Sequence, residues 1–355
     1  MDSDVNTVTN KIVDLPVAVL FDEMYRDHCL LALQETYRQP ETSERVMRNR
    51  SCLVCGQSDQ PATIQLLPPT AGIRVLSLDG GGVKGIIPLT FLGQLEKHLA
   101  EFQIPIRDRF DFVCGTSAGG LFSIGPFVMR WTIEFCIEKF ESLAQRTFVR
   151  SRQANYLIGR IQWLFVSYLR DCQYNSSAIE ESFQSAFGKD VQLFNPPLPY
   201  DTKVAITTAT AKDTSTCIFS NYTGPERPSD NGYTILRASS FEDDVSISEA
   251  ASCTSAPPWL FKPRLLRHFG TFQDGGLQHR NPLNIAMWEL RNLWPSRVLD
   301  FTLSTGTGVS QASTVAYGTG PYSFGKGNFI ARVFRTFMKS MDGERVWREI
   351  YNSLA

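Results

Sequence analysis

Short apolar runs alternate with segments of helical periodicity from residue 73 onward. Ile73–Leu78 is a short apolar strand that runs directly into consecutive glycines. Apolar residues then recur at the spacing of one helix face: Leu92, Leu95, Leu99 and Phe102. Asp111–Cys114 is predicted as a second short strand, and Ala118–Val128 as the helix after it, until Gly125-Pro126 disturbs that helix. The order strand, tight loop, helix therefore occurs twice.

The second half of the chain continues this alternation. Lys203–Thr210 is rich in β-branched residues, and Cys217–Asn221 is its expected neighbour after a short turn. Val298–Leu303 is a further strand, and it enters the glycine loop Gly306–Gly308. Strands that alternate with helices favour a mostly parallel sheet covered on both faces. We predict an α/β fold, a three-layer α/β/α sandwich, with its glycine motifs on the loops.

Composition changes along the chain and suggests three regions. Residues 1–70 are expected to be an N-terminal extension, since polar and charged residues precede the pair Cys52 and Cys55, and Pro68-Pro69 closes the segment. Residues 71–310 are expected to form the main domain, and 311–355 a C-terminal helical tail. A zinc site at the two cysteines would need four ligands, and upstream only the adjacent His28 and Cys29 are available. We expect no metal.

Charge and hydrophobicity exclude several classes of function. The formal net charge of the 355-residue chain is −1, so no basic field indicates a nucleic-acid partner. The first residues lack the basic and apolar regions of a secretory signal, and no run approaches the ~18 apolar residues of a membrane span. Eight scattered cysteines do not resemble a disulfide framework. These features predict a cytoplasmic protein.

A candidate nucleophile lies between the second strand and its helix. Gly115-Thr-Ser117-Ala-Gly119 has the Gly-x-Ser-x-Gly pattern of a sharp strand-to-helix turn that exposes a serine hydroxyl. Small neighbours allow a substrate to approach, but the same pattern also occurs in helix starts that merely pack closely on a strand. A serine hydroxyl also needs a base within hydrogen-bond reach to become a nucleophile.

The three glycines after the first strand are a candidate anion cradle. The amides of Gly80, Gly81 and Gly82 are free of side chains and precede a helix, so they can point at an anion such as the oxyanion of acyl transfer. Lys84 and Gly85 complete the motif, and Lys84 could add charge near the loop. The alternatives are a plain tight turn and a nucleotide phosphate loop, although the Walker pattern requires Ser or Thr after the lysine.

Asp274, followed by Gly275 and Gly276, supplies a carboxylate on a glycine turn. An aspartate there is often only a turn residue, but with the two upstream motifs it becomes a candidate base for Ser117. Such a base should be desolvated, since an aspartate of ordinary pKa near 3.9 is a weak one. A Ser-Asp-His triad would need His279, five positions later, where it is awkwardly placed as a partner. We therefore favour a Ser117–Asp274 dyad.

These three motifs, in this order, resemble those of the patatin-like phospholipases, a family of acyl hydrolases. Ala250–Pro258 is similar to the alanine- and serine-rich segment of the family, and Leu303–Gly308 to its late glycine loop. Phe329–Trp347 is similar to the tail of fungal-type members, which often continue into further domains. Arg280 is a departure, because relatives commonly have asparagine before the Asn-Pro pair.

The resemblance implies Ser117 as the nucleophile that forms an acyl-enzyme, Asp274 as the proton acceptor and the amides of Gly80–Gly82 as oxyanion donors. It implies an acyl lipid as substrate, phospholipase A-type cleavage of carboxylic esters, and no cofactor. A membrane or lipid-droplet surface is an expected partner. Tyr156–Arg170 has the pattern of a basic amphipathic helix, which could lie in a bilayer interface or, as an ordinary amphipathic helix, pack on the core. The alternative function is a non-catalytic lipid-sensing or signalling module of a larger protein.

Overall fold

The computed structural model describes residues 46–49, 62–65, 72–100, 105–147, 176–194 and 202–308, the last range with gaps at 226, 228–231, 239, 241–242 and 259. The cysteine pair at 52 and 55, the segment Tyr156–Arg170 and the tail 311–355 lie outside the described residues. In the N-terminal region, β1 (Val46–Asn49) and β2 (Ala62–Gln65) pair antiparallel.

A central sheet of eight strands organises the rest of the described chain. Its strands are β3 (Ile73–Leu78), β4 (Phe112–Thr116), β5 (Lys203–Thr210), β6 (Thr216–Ser220), β7 (Thr234–Ile235), β8 (Arg264–Leu266), β9 (Gly270–Asp274) and β10 (Leu299–Thr305). The main path runs β10-β3-β4-β5-β6-β7, and the first four of these strands are parallel. Strand β6 is antiparallel to β5, and β9 pairs antiparallel with both β5 and β8. The predicted mostly parallel sheet is confirmed.

Helices follow the strands as the alternating pattern predicts. The α-helices in the described ranges are α1 (Ile86–Leu99), α2 (Ala118–Phe127), α3 (Ile133–Thr147), α4 (Ser176–Phe187), α5 (Ile247–Thr254) and α6 (Leu283–Leu293). Helix α2 passes through Gly125-Pro126 instead of being broken there. Proline removes one N–H, but α2 ends one residue later, so few hydrogen bonds depend on that position.

Both faces of the sheet are covered, which gives the three predicted layers. Alternate residues of each strand point to opposite faces: Leu76 of β3 joins a core with α1 to α5, whereas Val75 joins a core with α6. Val113 and Phe112 of β4 divide between the two cores in the same way. The observed fold is therefore the expected α/β/α sandwich.

Strand pairing brings distant motifs to one edge of the sheet. Strands β3 and β4 are parallel, so the triple glycine after β3 and Ser117 after β4 both follow carboxyl ends at that edge. Along β5, Thr116 of β4 pairs with Thr207, and the next position of β5, Thr208, pairs with Asp274 of β9. Strands β4 and β9 thus pair with consecutive stretches of the same side of β5, β4 parallel and β9 antiparallel to it. This arrangement places Asp274, at the end of β9, beside Ser117, which follows β4.

Candidate active site

Ser117 occupies a sharp turn between β4 and α2. Its backbone has φ 55° and ψ −122°, a conformation that L-residues rarely adopt and that costs ~1–3 kcal/mol. The turn is possible because glycines lie two positions before and two positions after Ser117. A Cβ on Gly119 would lie 2.1 Å from the carbonyl oxygen of Leu78, and a Cβ on Gly115 2.2 Å from the hydroxyl of Ser123. The motif therefore lets α2 begin in direct contact with β3.

The hydroxyl of Ser117 donates a hydrogen bond to Asp274. The distance from Ser117 Oγ to Asp274 Oδ2 is 2.7 Å. The other carboxylate oxygen, Oδ1, accepts the backbone N–H of Gly276 at 2.7 Å. Both side chains are largely withdrawn from solvent, with relative exposures of 9% for Ser117 and 5% for Asp274. The two residues that the sequence pairs as nucleophile and base are thus in direct contact.

Burial makes the Asp274 carboxylate more basic than an ordinary aspartate. Desolvation raises the pKa of Asp274 from 3.8 to about 6, because it disfavours the charged form. The hydrogen bonds from Ser117 and Gly276 oppose this shift without cancelling it. A carboxylate with such a pKa is mostly ionised at neutral pH and still accepts a proton more readily than an exposed one.

Threonine side chains fix the serine turn to the neighbouring elements. The N–H of Ser117 donates to Thr254 Oγ1 at 2.8 Å, and that hydroxyl donates to the carbonyl of Thr207 at 2.8 Å. Thr116 Oγ1 lies 2.6 Å from Thr207 Oγ1 and donates to the carbonyl of His279 at 2.8 Å. The motifs do not reveal these supporting residues. The only sequence signal for them is the alanine- and serine-rich segment that contains Thr254.

The glycine loop differs in one respect from the sequence prediction. The N–H of Gly80 donates to the carbonyl of Arg280 at 2.8 Å, so it is already bound and is not free for an oxyanion. Among the described residues, the N–H groups of Gly81 and Gly82 have no such acceptor. Gly82 has φ +54°, which favours glycine, and a Cβ on Gly81 would lie 2.4 Å from Thr307 Cγ2. The N–H of Gly80 is therefore not the free donor that the sequence predicts, and the N–H groups of Gly81 and Gly82 remain the candidates.

Arg280 holds this loop from a second direction. Its Nε donates to the carbonyl of Gly80 at 3.0 Å, and its Nη2 donates to Thr307 Oγ1 at 2.8 Å. Sequence reasoning identified Arg280 only as a departure from related sequences. Lys84, which was predicted to support the loop, is exposed on the short 3₁₀ turn Gly82–Gly85 before α1.

His279 does not complete a triad in this structure. Its ring hydrogen-bonds with Asn284 and packs edge-on against Trp288, with 6.3 Å between ring centroids. Burial lowers the pKa of His279, which favours its neutral form. The carboxylate oxygens of Asp274 are instead bound by Ser117 and Gly276. The geometry is that of the dyad that the sequence favours over the triad.

Within the ranges that the structure describes, His, Cys, Asp and Glu side chains form no cluster of three or more suited to a metal ion. None of the described helices combines the length and apolar character needed to span a bilayer.

Comparison with known proteins identifies the family. The patatin-like phospholipase family matches residues 76–287, which is more than half of the chain and contains all three glycine motifs. The chain belongs to this family. The resemblance carried by the motifs is therefore confirmed.

Relatives of this patatin-like chain include enzymes of animals and plants. Human calcium-independent phospholipase A2-gamma is 29% identical over 251 residues, which cover 69% of this chain and 30% of the human protein. Patatin-like protein 2 of Arabidopsis thaliana is 28% identical over 286 residues, which cover 72% of this chain and 65% of that protein. Phospholipase A I of the same plant is 25% identical over 280 residues, which cover 68% of this chain and 21% of that protein.

These relatives are longer than the region that they share with this chain. The shared region spans about a third or less of the two phospholipases and about two thirds of the patatin-like protein. Among solved structures, VipD from Legionella pneumophila aligns with a TM-score of 0.31 and 16% identity, over 69% of this chain and 52% of VipD.

Proposed function

We propose that this patatin-like protein is a lipid acyl hydrolase that cleaves carboxylic ester bonds through Ser117 and Asp274. The contact between the two side chains, 2.7 Å from hydroxyl to carboxylate, is the observation that carries the proposal. Family membership and relatives named as phospholipases support an acyl lipid as substrate. The direct bond between nucleophile and base favours catalysis over the non-catalytic alternative.

In the first step, Ser117 Oγ attacks the carbonyl carbon of the ester while its proton moves to Asp274 Oδ2. The carbonyl oxygen becomes an oxyanion in the tetrahedral intermediate. When the intermediate collapses, the bond to the alcohol breaks, and the leaving oxygen takes the proton from Asp274. The products are the free alcohol, such as a lysolipid, and an acyl group esterified to Ser117.

In the second step, a water molecule occupies the place of the alcohol. Asp274 accepts one proton of that water as its oxygen attacks the acyl carbon. Collapse of the second intermediate breaks the bond to Ser117 Oγ, which recovers the proton from Asp274. The fatty acid is released and the dyad returns to its starting state, so one carboxylate serves both halves of the reaction.

The oxyanion is assigned to the N–H groups of Gly81 and Gly82, since the N–H of Gly80 is bound to Arg280. These two glycines directly follow Gly80, which lies beside the nucleophile: a Cβ on Gly80 would be 3.2 Å from the Cβ of Ser117. One such donor typically contributes ~2.7–4 kcal/mol to transition-state stabilisation.

The proposed partner is a lipid surface that the protein contacts peripherally, as a membrane or a lipid droplet offers. Support comes from three exposed apolar side chains that follow the glycine loop at helical spacing: Val83 at 53%, Ile87 at 48% and Phe91 at 48% exposure. Lys84, between them, is the only charged residue from Gly82 to Leu95. The cytoplasmic location stays a prediction from the sequence.

The function is tested by incubating the protein with a mixed lipid extract and identifying released fatty acids and lysolipids by mass spectrometry. We expect products from the wild type and none from Ser117→Ala. Ser255→Ala is the matched control, because Ser255 Oγ is bound to the carbonyl of Ala251 and its removal should leave hydrolysis intact. Equal product release by wild type and Ser117→Ala would refute the proposal.

A further inference from the structure

We propose that Arg280 is a positioning residue that orients and polarises the Gly80–Gly81 peptide, so that the N–H of Gly81 is an effective oxyanion donor. This inference rests on the proposed hydrolytic function. It assigns a role to the residue that departs from the sequence pattern of the family.

Arg280 grips Gly80 at both of its backbone polar atoms. The carbonyl of Arg280 accepts the N–H of Gly80 at 2.8 Å, and Arg280 Nε donates to the carbonyl of Gly80 at 3.0 Å. Held at both ends by one residue, Gly80 has little freedom to rotate. A loop of three glycines has no side chains of its own to restrict its conformation, so an outside residue must do this.

The bond to the Gly80 carbonyl reaches the next residue through the peptide plane. The carbonyl of Gly80 and the N–H of Gly81 belong to one planar peptide unit, which is trans here, so they point in opposite directions. Fixing the carbonyl therefore fixes the direction of the Gly81 N–H. A charged donor on the carbonyl also polarises the unit and makes its N–H a stronger donor.

Thr307 locks the guanidinium and the loop together. Arg280 Nη2 donates to Thr307 Oγ1 at 2.8 Å. The side chain of Thr307 also lies directly against Gly81, where a Cβ would be 2.4 Å from Thr307 Cγ2. Arg280, Thr307 and the Gly80–Gly81 peptide thus form one contact set, built from the segment after Asp274, the late glycine loop and the oxyanion loop.

These contacts require the several nitrogen donors of an arginine guanidinium. Nε and Nη2 serve two acceptors at the same time, the carbonyl of Gly80 and the hydroxyl of Thr307. A lysine at position 280 keeps the charge but has a single donor atom, and a glutamine loses the charge. The two variants separate the contribution of charge from that of geometry.

The test compares Arg280→Gln and Arg280→Lys with the wild type on a soluble, monomeric short-chain ester, so that lipid-surface binding does not enter. We expect kcat to fall roughly 10- to 100-fold for Arg280→Gln with little change in KM, and by less for Arg280→Lys. Affinity for a trifluoromethyl ketone, which forms an oxyanion on the serine, should fall in parallel. The pH midpoint of activity should not move, because Asp274 is untouched.

Arg291→Gln is the matched control, since Arg291 is exposed in the last turn of α6. Should Arg280→Gln fail to fold, Thr307→Val removes one acceptor of the guanidinium and should give a smaller loss of the same kind. Unchanged kcat and inhibitor affinity in a folded Arg280→Gln, or a rise in KM alone, would overturn the inference while Ser117-dependent hydrolysis stands. A wild type without such hydrolysis would overturn the proposed function, and this inference with it.

Discussion

At the residue scale, the proposed chemistry depends on one carboxylate made basic by burial. The pKa of Asp274 is raised to about 6, because desolvation outweighs the hydrogen bonds from Ser117 and Gly276. The carboxylate must be ionised before it can take the proton of Ser117. Activity should therefore be lost on the acidic side of this pKa and keep a plateau above it.

The pH dependence of kcat/KM on a soluble ester measures this directly. We expect the rate to rise with pH, to reach half of its maximum near the pKa of Asp274, about 6, and then to level off. A midpoint close to 4, the ordinary value for an exposed aspartate, would contradict the desolvated dyad.

Asp274→Asn tests the stability cost of the same burial. A carboxyl group with a raised pKa in the folded state stabilises the fold when protonated, and this stability is lost as pH rises from the unfolded pKa near 3.9 to the folded value of about 6. Asparagine does not ionise, so it does not lose this stability as pH rises. We expect the free energy of unfolding of Asp274→Asn to equal that of the wild type below pH ~4 and to exceed it at pH ~8 by up to roughly 3 kcal/mol, with a correspondingly higher Tm.

Asp244→Asn is the contrasting variant. Asp244 is also buried, but its carboxylate pairs with Arg237, so its removal should lower Tm at neutral pH. A lower Tm of Asp274→Asn at pH ~8 would contradict the prediction that burial of the charged dyad costs stability.

At the element scale, the glycine loop and the start of α1 combine the proposed oxyanion site with an apolar surface. Val83, Ile87 and Phe91 lie one helical turn apart and are each about half exposed. No acidic residue occupies the first turn of α1 or of the preceding 3₁₀ turn, although helix N-termini usually favour acids. This composition suits contact with a lipid surface more than contact with water.

Vesicle binding tests this surface. Ile87→Gln/Phe91→Gln should weaken sedimentation with vesicles of phosphatidylcholine and phosphatidylglycerol by roughly tenfold or more, since each buried side chain contributes about 1–2 kcal/mol. Hydrolysis of a soluble ester should not change. Val298→Gln is the control, because Val298 is 69% exposed and precedes β10, at the opposite end of the parallel strands. Equal vesicle binding by all variants would contradict the proposed contact.

Strands with apolar or β-branched runs could be predicted from the sequence, whereas strands of mixed polarity could not. The apolar run of β3, the β-branched run of β5 and the strands β4, β6 and β10 were all predicted close to their observed bounds, because their patterns are local. The sequence does not predict the pair β8 and β9, since both strands mix polar and apolar residues. Their pairing depends on contacts with β5, which no local pattern contains.

At the scale of the whole molecule, strand topology explains how residues 157 positions apart meet. The motifs indicate the types of group in the site, namely a serine, a carboxylate and glycine amides. The sequence could not predict the bond of Gly80 to Arg280 or the support from Thr254, because those contacts join segments far apart in the chain. Local spacing contains no information about such pairs.

The stability of the sheet face that α6 covers depends on a buried carboxylate. Glu289 of α6 is fully buried and binds the hydroxyls of Tyr222 and Tyr233 and the guanidinium of Arg227. Glu289→Ala would leave the largely buried Arg227 side chain without this partner. We expect a loss of about 3–5 kcal/mol in the free energy of unfolding, measured by denaturant titration. Glu181→Gln, at an exposed site on α4, should change it little; equal midpoints for both variants would contradict this prediction.

Covalent labelling by a fluorophosphonate, mapped by peptide mass spectrometry, tests the activated serine most directly. The probe reacts with a serine whose hydroxyl passes its proton to a neighbouring base as it attacks. We predict a single adduct on Ser117 in the wild type and none in Ser117→Ala. An unlabelled wild type, or an adduct on another serine that persists in Ser117→Ala, would contradict the dyad.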